Sequence, residues 1–267
     1  MSFSSIFFTA SAFLKYYFTA SNGRGHGIHS PFVYAFVRDV LMDRRRYYAY
    51  EQVEELRERL LKDASIINVE DMGAGSMLKV TSKRTIASIA KYAAKPKKFG
   101  QLLFRVVNQY QYKNILELGT SLGITSSYLS LAALDGHVYT LEGAEAIAQK
   151  AQENFHHLGL QHVALIQGNF DQTLPALLQL NKKYDLVFVD GNHRKEPTIR
   201  YFQQIVPHLA EKSVIVFDDI HWSREMQSAW EEIKKDPRVM LSVDLFFVGL
   251  IFFDASFKVS QHFRIRF

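Results

Sequence analysis

The sequence predicts an α/β protein with a mostly parallel sheet that carries helices on both faces. From about Lys113 onward, short β-rich runs alternate with helical stretches, which is typical of such a sheet. The first five runs are nearly continuous in apolar residues, as expected for strands buried on both faces. In the last run, "VDLFFVGLIFFD", Val248 and Gly249 stand between two apolar stretches without room for a crossover helix. This run therefore predicts a terminal antiparallel hairpin.

The predicted elements follow one another in a regular order. The strands are "NILEL", "HVYTLE", "HVALIQ", "YDLVFVD", "SVIVFDD" and the hairpin run. The helices between them span residues 126–134, 144–158, 174–180, 196–209 and 224–235. Further helices are predicted at 31–42, 53–62 and 81–94. Residues 1–100 are therefore expected to form a mainly helical N-terminal extension that covers the sheet, and residues 101–267 the α/β domain.

Composition restricts the chemistry. The 267 residues are 48% hydrophobic and include no cysteine. Disulfides, thiolate metal sites and cysteine nucleophiles are thereby excluded, and a reducing, cytoplasmic location is expected. The formal charge of +5 weakly favours an anionic partner or a membrane surface. The aromatic stretch "MSFSSIFFTASAFLKYYFTA" lacks the basic start of a secretory signal, so we expect a helix that packs on the body or rests on a membrane.

Two stretches have the glycine turn of a cofactor loop, "EDMGAGS" at 70–76 and "ILELGTSLG" at 115–123. A nucleotide-like cofactor such as S-adenosylmethionine (SAM) needs such a turn after the first strand, an acid after the second and an adenine shelf after the third. The second stretch meets all three needs. Gly119 and Gly123 bracket its turn, Glu142 ends the next strand at roughly the 20-residue offset of this pattern, and "GNFD" ends the third strand.

The first stretch leads into "KYAAKPKKFG", where no such acid follows. We therefore expect "EDMGAGS" to be a polar turn or lid in the N-terminal extension, with a substrate-facing loop as the alternative. The stretch "NGRGHGIHSPF" predicts a glycine-rich loop before a helix that starts at Ser30-Pro31. Arg24, His26 and His29 in this loop are candidates for closing over the cofactor or an acidic substrate.

The ordered motifs "ILELGTSLG", "TLE", "GNF", "DLVFVDGNH" and "VIVFDDIHW" resemble those of the catechol and caffeoyl-CoA type O-methyltransferases and their bacterial relatives. The resemblance covers residues 95–254. It implies a class I SAM-dependent methyltransferase fold, Rossmann-like, with seven strands, and makes 101–267 the methyltransferase domain.

The resemblance also implies which residues bind SAM. Glu142 would bind the ribose, and Asn169 with Phe170 the adenine. The remaining predicted cofactor residues, most of them lining the methionine part, are Glu117, Gly119, Thr120, Ser121, Gly123, Gly143 and Asp190.

The ends of the fourth and fifth strands, "VDGNHR" and "FDDIHW", are expected to bring Asp190, His193, Asp218, Asp219 and His221 close together. Such a cluster suits a hard divalent cation such as Mg²⁺. By resemblance, Asp190 and Asp218 match metal-ligand positions, and Asp219 stands where the family usually has Asn. His193 stands where metal-dependent relatives have a lysine base, so Asp190 and His193 are the predicted catalytic residues. A histidine that only positions a carboxylate is the alternative.

Several functions stay open at this point. The first is an O-methyltransferase for a small hydroxylated molecule, assisted by a divalent metal or not. The second is a methyltransferase for RNA or protein, although "DGNHRK" is not the loop of nucleobase amino methylation, so nucleic acid is disfavoured. The others are a non-catalytic SAM-binding module at a membrane surface and a dehydrogenase, whose G-x-G-x-x-G pattern is absent. The sequence also leaves open a second copy of the chain as a partner, in a homodimer.

Overall fold

The computed structural model describes residues 3–21, 23, 28–71 and 80–267. Its helices are α1 (Phe3–Thr19), α2 (Pro31–Phe36), α3 (Tyr48–Lys62), α4 (Ile86–Tyr92), α5 (Lys97–Tyr110), α6 (Ile124–Ala132), α7 (Glu145–His157), α8 (Phe170–Leu178), α9 (Lys195–Ile205) and α10 (Arg224–Ile233). A π-helical turn at Val37–Leu41 continues α2, and a 3₁₀ turn at Val206–His208 follows α9. The strands are β1 (Ile66–Asp71), β2 (Val80–Thr85), β3 (Asn114–Leu118), β4 (His137–Glu142), β5 (Val163–Gln167), β6 (Tyr184–Val189), β7 (Leu209–Asp218), β8 (Leu241–Asp244), β9 (Val248–Phe253) and β10 (Gln261–Arg264).

Among the described residues, eight strands form one sheet in the order β10-β8-β9-β7-β6-β3-β4-β5. The pairs β3–β4, β4–β5, β6–β7 and β8–β10 are parallel, whereas β9 is antiparallel to both β7 and β8. The predicted α/β class, with a mostly parallel sheet and a late antiparallel hairpin, is confirmed. The predicted count of seven strands was one short, because the polar edge strand β10 has no apolar pattern that would reveal it.

The hairpin turn lies earlier than predicted. Residues 245–247 connect β8 to β9, while Val248 and Gly249 already belong to β9. The turn is made by Phe246, which has a left-handed φ of 72°, and the Asp244 carboxylate accepts the Phe246 N–H at 2.8 Å. A side-chain acceptor two residues earlier thus supports a turn that no glycine marks. Strand β5 also differs from expectation, since it is half-exposed at the sheet edge rather than buried on both faces.

Contacts divide the chain into two compact units. The first comprises Met1–Asp43 and Lys183–Phe267, and the second Arg44–Lys182. The predicted boundary at residue 100 stays a prediction. None of the helices in the described ranges is both long and apolar enough to cross a lipid bilayer.

In the second unit, a core cluster joins the apolar face of α3 to α4, α5, α6 and the start of α7. Residues 81–85 were predicted as the start of a helix but belong to β2, which pairs with β1 from Ile66 opposite Thr85. The helix α4 begins only at Ile86, where Thr85 Oγ1 accepts the Ser88 N–H at 3.1 Å. Of "EDMGAGS", Glu70 and Asp71 end β1, and residues 72–79 lie outside the described residues.

In the first unit, the N-terminal helices pack against the end of the chain. Tyr16 of α1 lies 5.3 Å from the Phe246 ring and donates its hydroxyl to the Ile265 carbonyl. Phe36 of α2 packs edge-on against Phe252 of β9 at 5.2 Å. Ser30 caps α2 as predicted, with its hydroxyl 3.5 Å from the N–H of Val33. Arg24 and His26 lie outside the described residues, so their role in closing over a ligand stays a prediction.

A close approach in the first unit generates a stability prediction. A Cβ added to Gly249 would lie 2.7–2.9 Å from three ring atoms of the buried Trp230. We expect Gly249→Ala to lower the free energy of unfolding by about 1–3 kcal/mol, because the packed indole has no room to move. In a Trp230→Phe variant the smaller phenyl ring does not reach the positions of those indole atoms. Gly249→Ala should therefore lower the free energy of unfolding by less in that variant. Urea denaturation of the four proteins measures this coupling, and additive effects would contradict the steric explanation.

Candidate functional site

The loop after β3 has the conformation that its glycines predict. Gly119 and Gly123 both have positive φ, 106° and 79°, which only glycine adopts without strain. A Cβ at Gly123 would also lie 2.5 Å from the Phe155 ring. The N–H groups of Gly119 and Thr120 both donate to the carbonyl of Leu141, at 3.0 and 3.1 Å. The loop is thus fixed to β4, and Gly123 begins α6.

Glu142, at the end of β4, binds the loop after β3. Its Oε2 accepts the Ser121 N–H at 2.8 Å, and its Oε1 accepts the Ala144 N–H at 2.9 Å. Burial raises the pKa of Glu142, and its backbone hydrogen bonds oppose that rise. A carboxylate has about four lone-pair sites, so the backbone N–H groups of Ser121, Gly143 and Ala144 leave capacity for a ligand hydroxyl group. This is the chemistry expected of an acid that binds a ribose.

Glu117 is a fully buried carboxyl group in β3. Its Oε2 accepts hydrogen bonds from the hydroxyls of Ser126 and Thr140, the latter at 2.7 Å. Within the described residues, its Oε1 is also buried and has no hydrogen-bond partner. Burial raises the pKa of Glu117 to about 7, although the two hydroxyls oppose the rise. A buried acceptor without a donor fits a ligand that brings a donor or a positive charge.

The loop after β5 is bound to the loop after β4. Gly168 N–H donates to the Glu142 carbonyl at 2.8 Å, and the Gln167 amide donates to the Gly143 carbonyl at 3.3 Å. Asn169 caps α8, with its Oδ1 accepting the Asp171 N–H at 2.9 Å. Phe170, the first residue of α8, is half-buried. The predicted adenine contacts of Asn169 and Phe170 stay predictions, but their loop is held beside the ribose acid.

Asn154, in the middle of α7, supports the glycine loop and was missed from the sequence. It is 2% exposed, and its amide donates to the carbonyl of Leu122 at 2.9 Å. Its Oδ1 lies 3.5 Å from a guanidinium nitrogen of Arg59 on α3. The one available signal was a polar residue on the buried face of a helix, beside Ala151 and Phe155. This sequence pattern does not indicate the hydrogen-bond partner of Asn154, because Leu122 lies 32 residues away in the chain.

The loops after β6 and β7 carry the predicted catalytic residues. His193 Nε2 lies 3.5 Å from Asp190 Oδ1, so these two are paired as expected. Asp218 is buried at the end of β7, and Asp219 follows in a left-handed conformation with φ 52°. His221 does not extend this group: its Nε2 lies 2.9 Å from Asp244 Oδ2.

The predicted metal site finds little support in this arrangement. Within the part of the chain that the structure describes, no three His, Asp or Glu side chains are grouped closely enough to hold a metal ion. The donor set of Asp190, Asp218 and Asp219 therefore does not fit a cation as it stands. Metal assistance stays a prediction, and no chemical step below depends on it.

Known sequences resemble this chain most in its central part. A sequence model of the family described as "Methyltransferase domain" matches residues 116–220. A catechol O-methyltransferase of Niastella koreensis is 31% identical over 150 residues, covering 54% of this chain and 66% of the relative. A protein-L-isoaspartate O-methyltransferase of Methanosarcina mazei is 22% identical, covering 52% and 63%. The chain thus spans slightly less than two thirds of the length of these relatives.

Solved structures share the fold over a longer range. An O-methyltransferase from Bacillus cereus in complex with S-adenosylhomocysteine (SAH) has a TM-score of 0.54 and 20% identity, covering 83% of this chain and 97% of that chain. An SAH-bound methyltransferase from Podospora anserina has a TM-score of 0.58 and 18% identity, covering 84% and 95%. Residues 116–220 thus match a family described as a methyltransferase domain, and the strand order and these likenesses show that the chain shares the Rossmann-like α/β fold of these solved methyltransferases.

Proposed function

We propose that this protein is an enzyme that transfers a methyl group from SAM to a hydroxyl oxygen of a small molecule. The observation that carries the proposal is the pair of carboxyl groups, the buried Glu117 and the half-buried Glu142, at the ends of adjacent strands beside the glycine loop. The catechol O-methyltransferase relative supports the hydroxyl acceptor.

In the proposed complex, Glu142 accepts the ribose hydroxyls, and the loop of Gly119, Thr120, Ser121 and Gly123 surrounds the methionine part. Glu117 offers its buried Oε1 to the positive charge. Asn169 and Phe170 lie against the adenine, and Gly143 and Asp190 complete the set. When bound, SAM supplies an electrophilic methyl group on a sulfonium. The hydrogen bonds that join the loops after β3, β4 and β5 support the assignments within these loops, and the role of Asp190 stays a prediction.

A hydroxyl oxygen must lose its proton as the methyl group arrives, because the product ether cannot carry it at neutral pH. His193 is the proposed base, and the carboxylate of Asp190, 3.5 Å away, orients the imidazole. After transfer, the imidazolium returns the proton to solvent, which its half-exposed side chain can reach.

A protein acceptor is the second candidate, because one relative is a protein-L-isoaspartate O-methyltransferase. Its acceptor is a carboxylate, which is already ionised at neutral pH and needs no base. The two candidates therefore differ in whether turnover requires His193. A module that binds SAM without turnover would form no SAH with either acceptor.

The cofactor assignment is tested by removing the ribose acid. We expect Glu142→Ala to weaken SAH binding in titration calorimetry by about 10- to 100-fold, the usual worth of hydrogen bonds to a charged group. Asp71→Asn is the control, since Asp71 belongs to the rival stretch "EDMGAGS" and should leave the affinity nearly unchanged. The reverse order of effects would show that the cofactor loop is misassigned.

Glu117 predicts a proton linkage. Because its pKa is about 7, a nearby positive charge should lower that pKa and release a proton when SAM binds at pH 6.5. SAM affinity should therefore rise with pH up to about 7 and level off above it. Calorimetry in two buffers of different ionisation enthalpy counts the released protons. Binding of SAH, which lacks the sulfonium charge, should release fewer protons than binding of SAM. The Glu117→Gln variant should release none when it binds SAM, and proton release equal to that of the wild type would refute this role of Glu117.

Turnover tests the function itself. We expect SAH to form when the protein is mixed with SAM and a panel of catechols and phenols, and not with isoaspartyl peptides. His193→Ala should lower kcat by about 100-fold or more with SAM affinity unchanged, as for loss of a general base. His208→Ala, on the turn after α9, serves as the control. Full activity of His193→Ala would remove His193 from the mechanism, and turnover of the peptides alone would favour the second candidate.

A further inference from the structure

The helix α1 exposes an apolar stripe on one face. Over Phe3–Thr19 it contains no acidic residue. Residues 10, 13, 14, 17 and 18 follow the i, i+3, i+4, i+7, i+8 spacing that places side chains on one face of a helix. Their exposed fractions are 41% for Phe13, 57% for Leu14, 47% for Tyr17 and 79% for Phe18, and Ala10 is also exposed.

Most of the exposed stripe lies away from the contact that holds α1 in place. A second apolar row, Ala12, Tyr16 and Ala20, packs on Phe246, and the Phe13 ring meets Phe246 edge-on at 5.0 Å. Tyr16 also donates its hydroxyl to the Ile265 carbonyl. The helix is therefore anchored through this row and Phe13, while Leu14, Tyr17 and Phe18 present aromatic and aliphatic surface to solvent. A contiguous exposed apolar surface of this kind marks a site of interaction.

Positive charges lie beside the stripe. Lys15 is exposed on α1, and the Arg266 guanidinium lies 4.8 Å from the centre of the Tyr17 ring. Arg224 lies 5.1 Å from the ring of Phe8, one turn before Ala12. A polar cavity of about 300 Å³ at the end of α1 holds paired charges instead, because Asp244 lies 3.8 Å from Arg264 and Glu231 lies 2.9 Å from Lys234.

We propose that α1 binds the surface of an anionic lipid bilayer, lying in the interface with Leu14, Tyr17 and Phe18 among the headgroups. Aromatic residues favour this depth of a membrane, and cations beside the stripe add attraction to anionic headgroups. A second copy of the chain fits less well, because each stripe would bring Lys15 and Arg266 against the same charges. The proposal does not depend on the methyltransferase reaction.

The test is vesicle flotation of the full chain with matched variants. The stripe variant is Leu14→Glu with Phe18→Glu. Its control is Leu134→Glu with Tyr92→Glu, because these two side chains are similarly exposed, 64% and 73%, and the charge change is the same. Lys15→Gln with Arg266→Gln tests the charges. Vesicles contain either phosphatidylcholine alone or phosphatidylcholine mixed with phosphatidylglycerol, whose anionic headgroups attract basic residues.

We expect the wild type to float with the anionic vesicles, less so at high salt, and to stay behind with phosphatidylcholine alone. The stripe variant should bind at least about tenfold more weakly because it buries charge in place of apolar surface, and its control should match the wild type. The charge variant should lose the preference for phosphatidylglycerol. SAH affinity should be equal in all four proteins, which separates this test from that of the cofactor site. Equal flotation of the stripe variant and its control, no binding of wild type, or stripe-dependent dimers by light scattering without flotation would each overturn the proposal.

Discussion

The hydrogen bond from the Ser121 N–H to the Glu142 carboxylate is the interaction on which the candidate cofactor site depends. Ser121 has a left-handed φ of 49°, which costs a residue with a side chain roughly 1–2 kcal/mol. A hydrogen bond to a charged acceptor contributes about 1.5–3 kcal/mol, which is enough to hold that conformation. The same carboxylate binds Ala144, so one acid fixes the loops after β3 and β4 together. Its mutation therefore affects both the ligand contact and the loop.

Glu117 is a second constraint, because its ionised carboxylate is unfavourable in the core of the second unit. With a pKa near 7 in the folded chain and near 4.5 unfolded, its proton stabilises the fold below about pH 7. Between those values the native chain holds a proton that the unfolded chain has lost, so stability falls as pH rises through this window. A cationic ligand relieves the cost above pH 7. Stability is thus lowered at the position where a positive ligand would be recognised.

The sequence predicted those parts of the structure that depend on residues close together in the chain. The glycine turn, the acid one strand later and the Asn169 cap each lie within a few residues of the strand that positions them. Strand β10 and the bond from Asn154 to Leu122 depend on residues distant in the chain, and so had no local pattern. Phe246 formed a turn without glycine because Asp244 supplied the acceptor. The hydrogen bond between His221 and Asp244 had no local pattern either, since Asp244 lies 23 residues further along.

Two helices of this chain differ in a way that bears on α1. In α3, the apolar residues Ala49, Val53, Leu56 and Leu60 are all buried, and the remaining positions are mostly charged or polar. This is the usual compromise of a helix at a protein surface. In α1 the inner row and Phe13 pack on Phe246, yet Leu14, Tyr17 and Phe18 are apolar and exposed as well. Packing on Phe246 explains the inner row and Phe13, and it leaves Leu14 and Phe18 to be explained by something outside the fold.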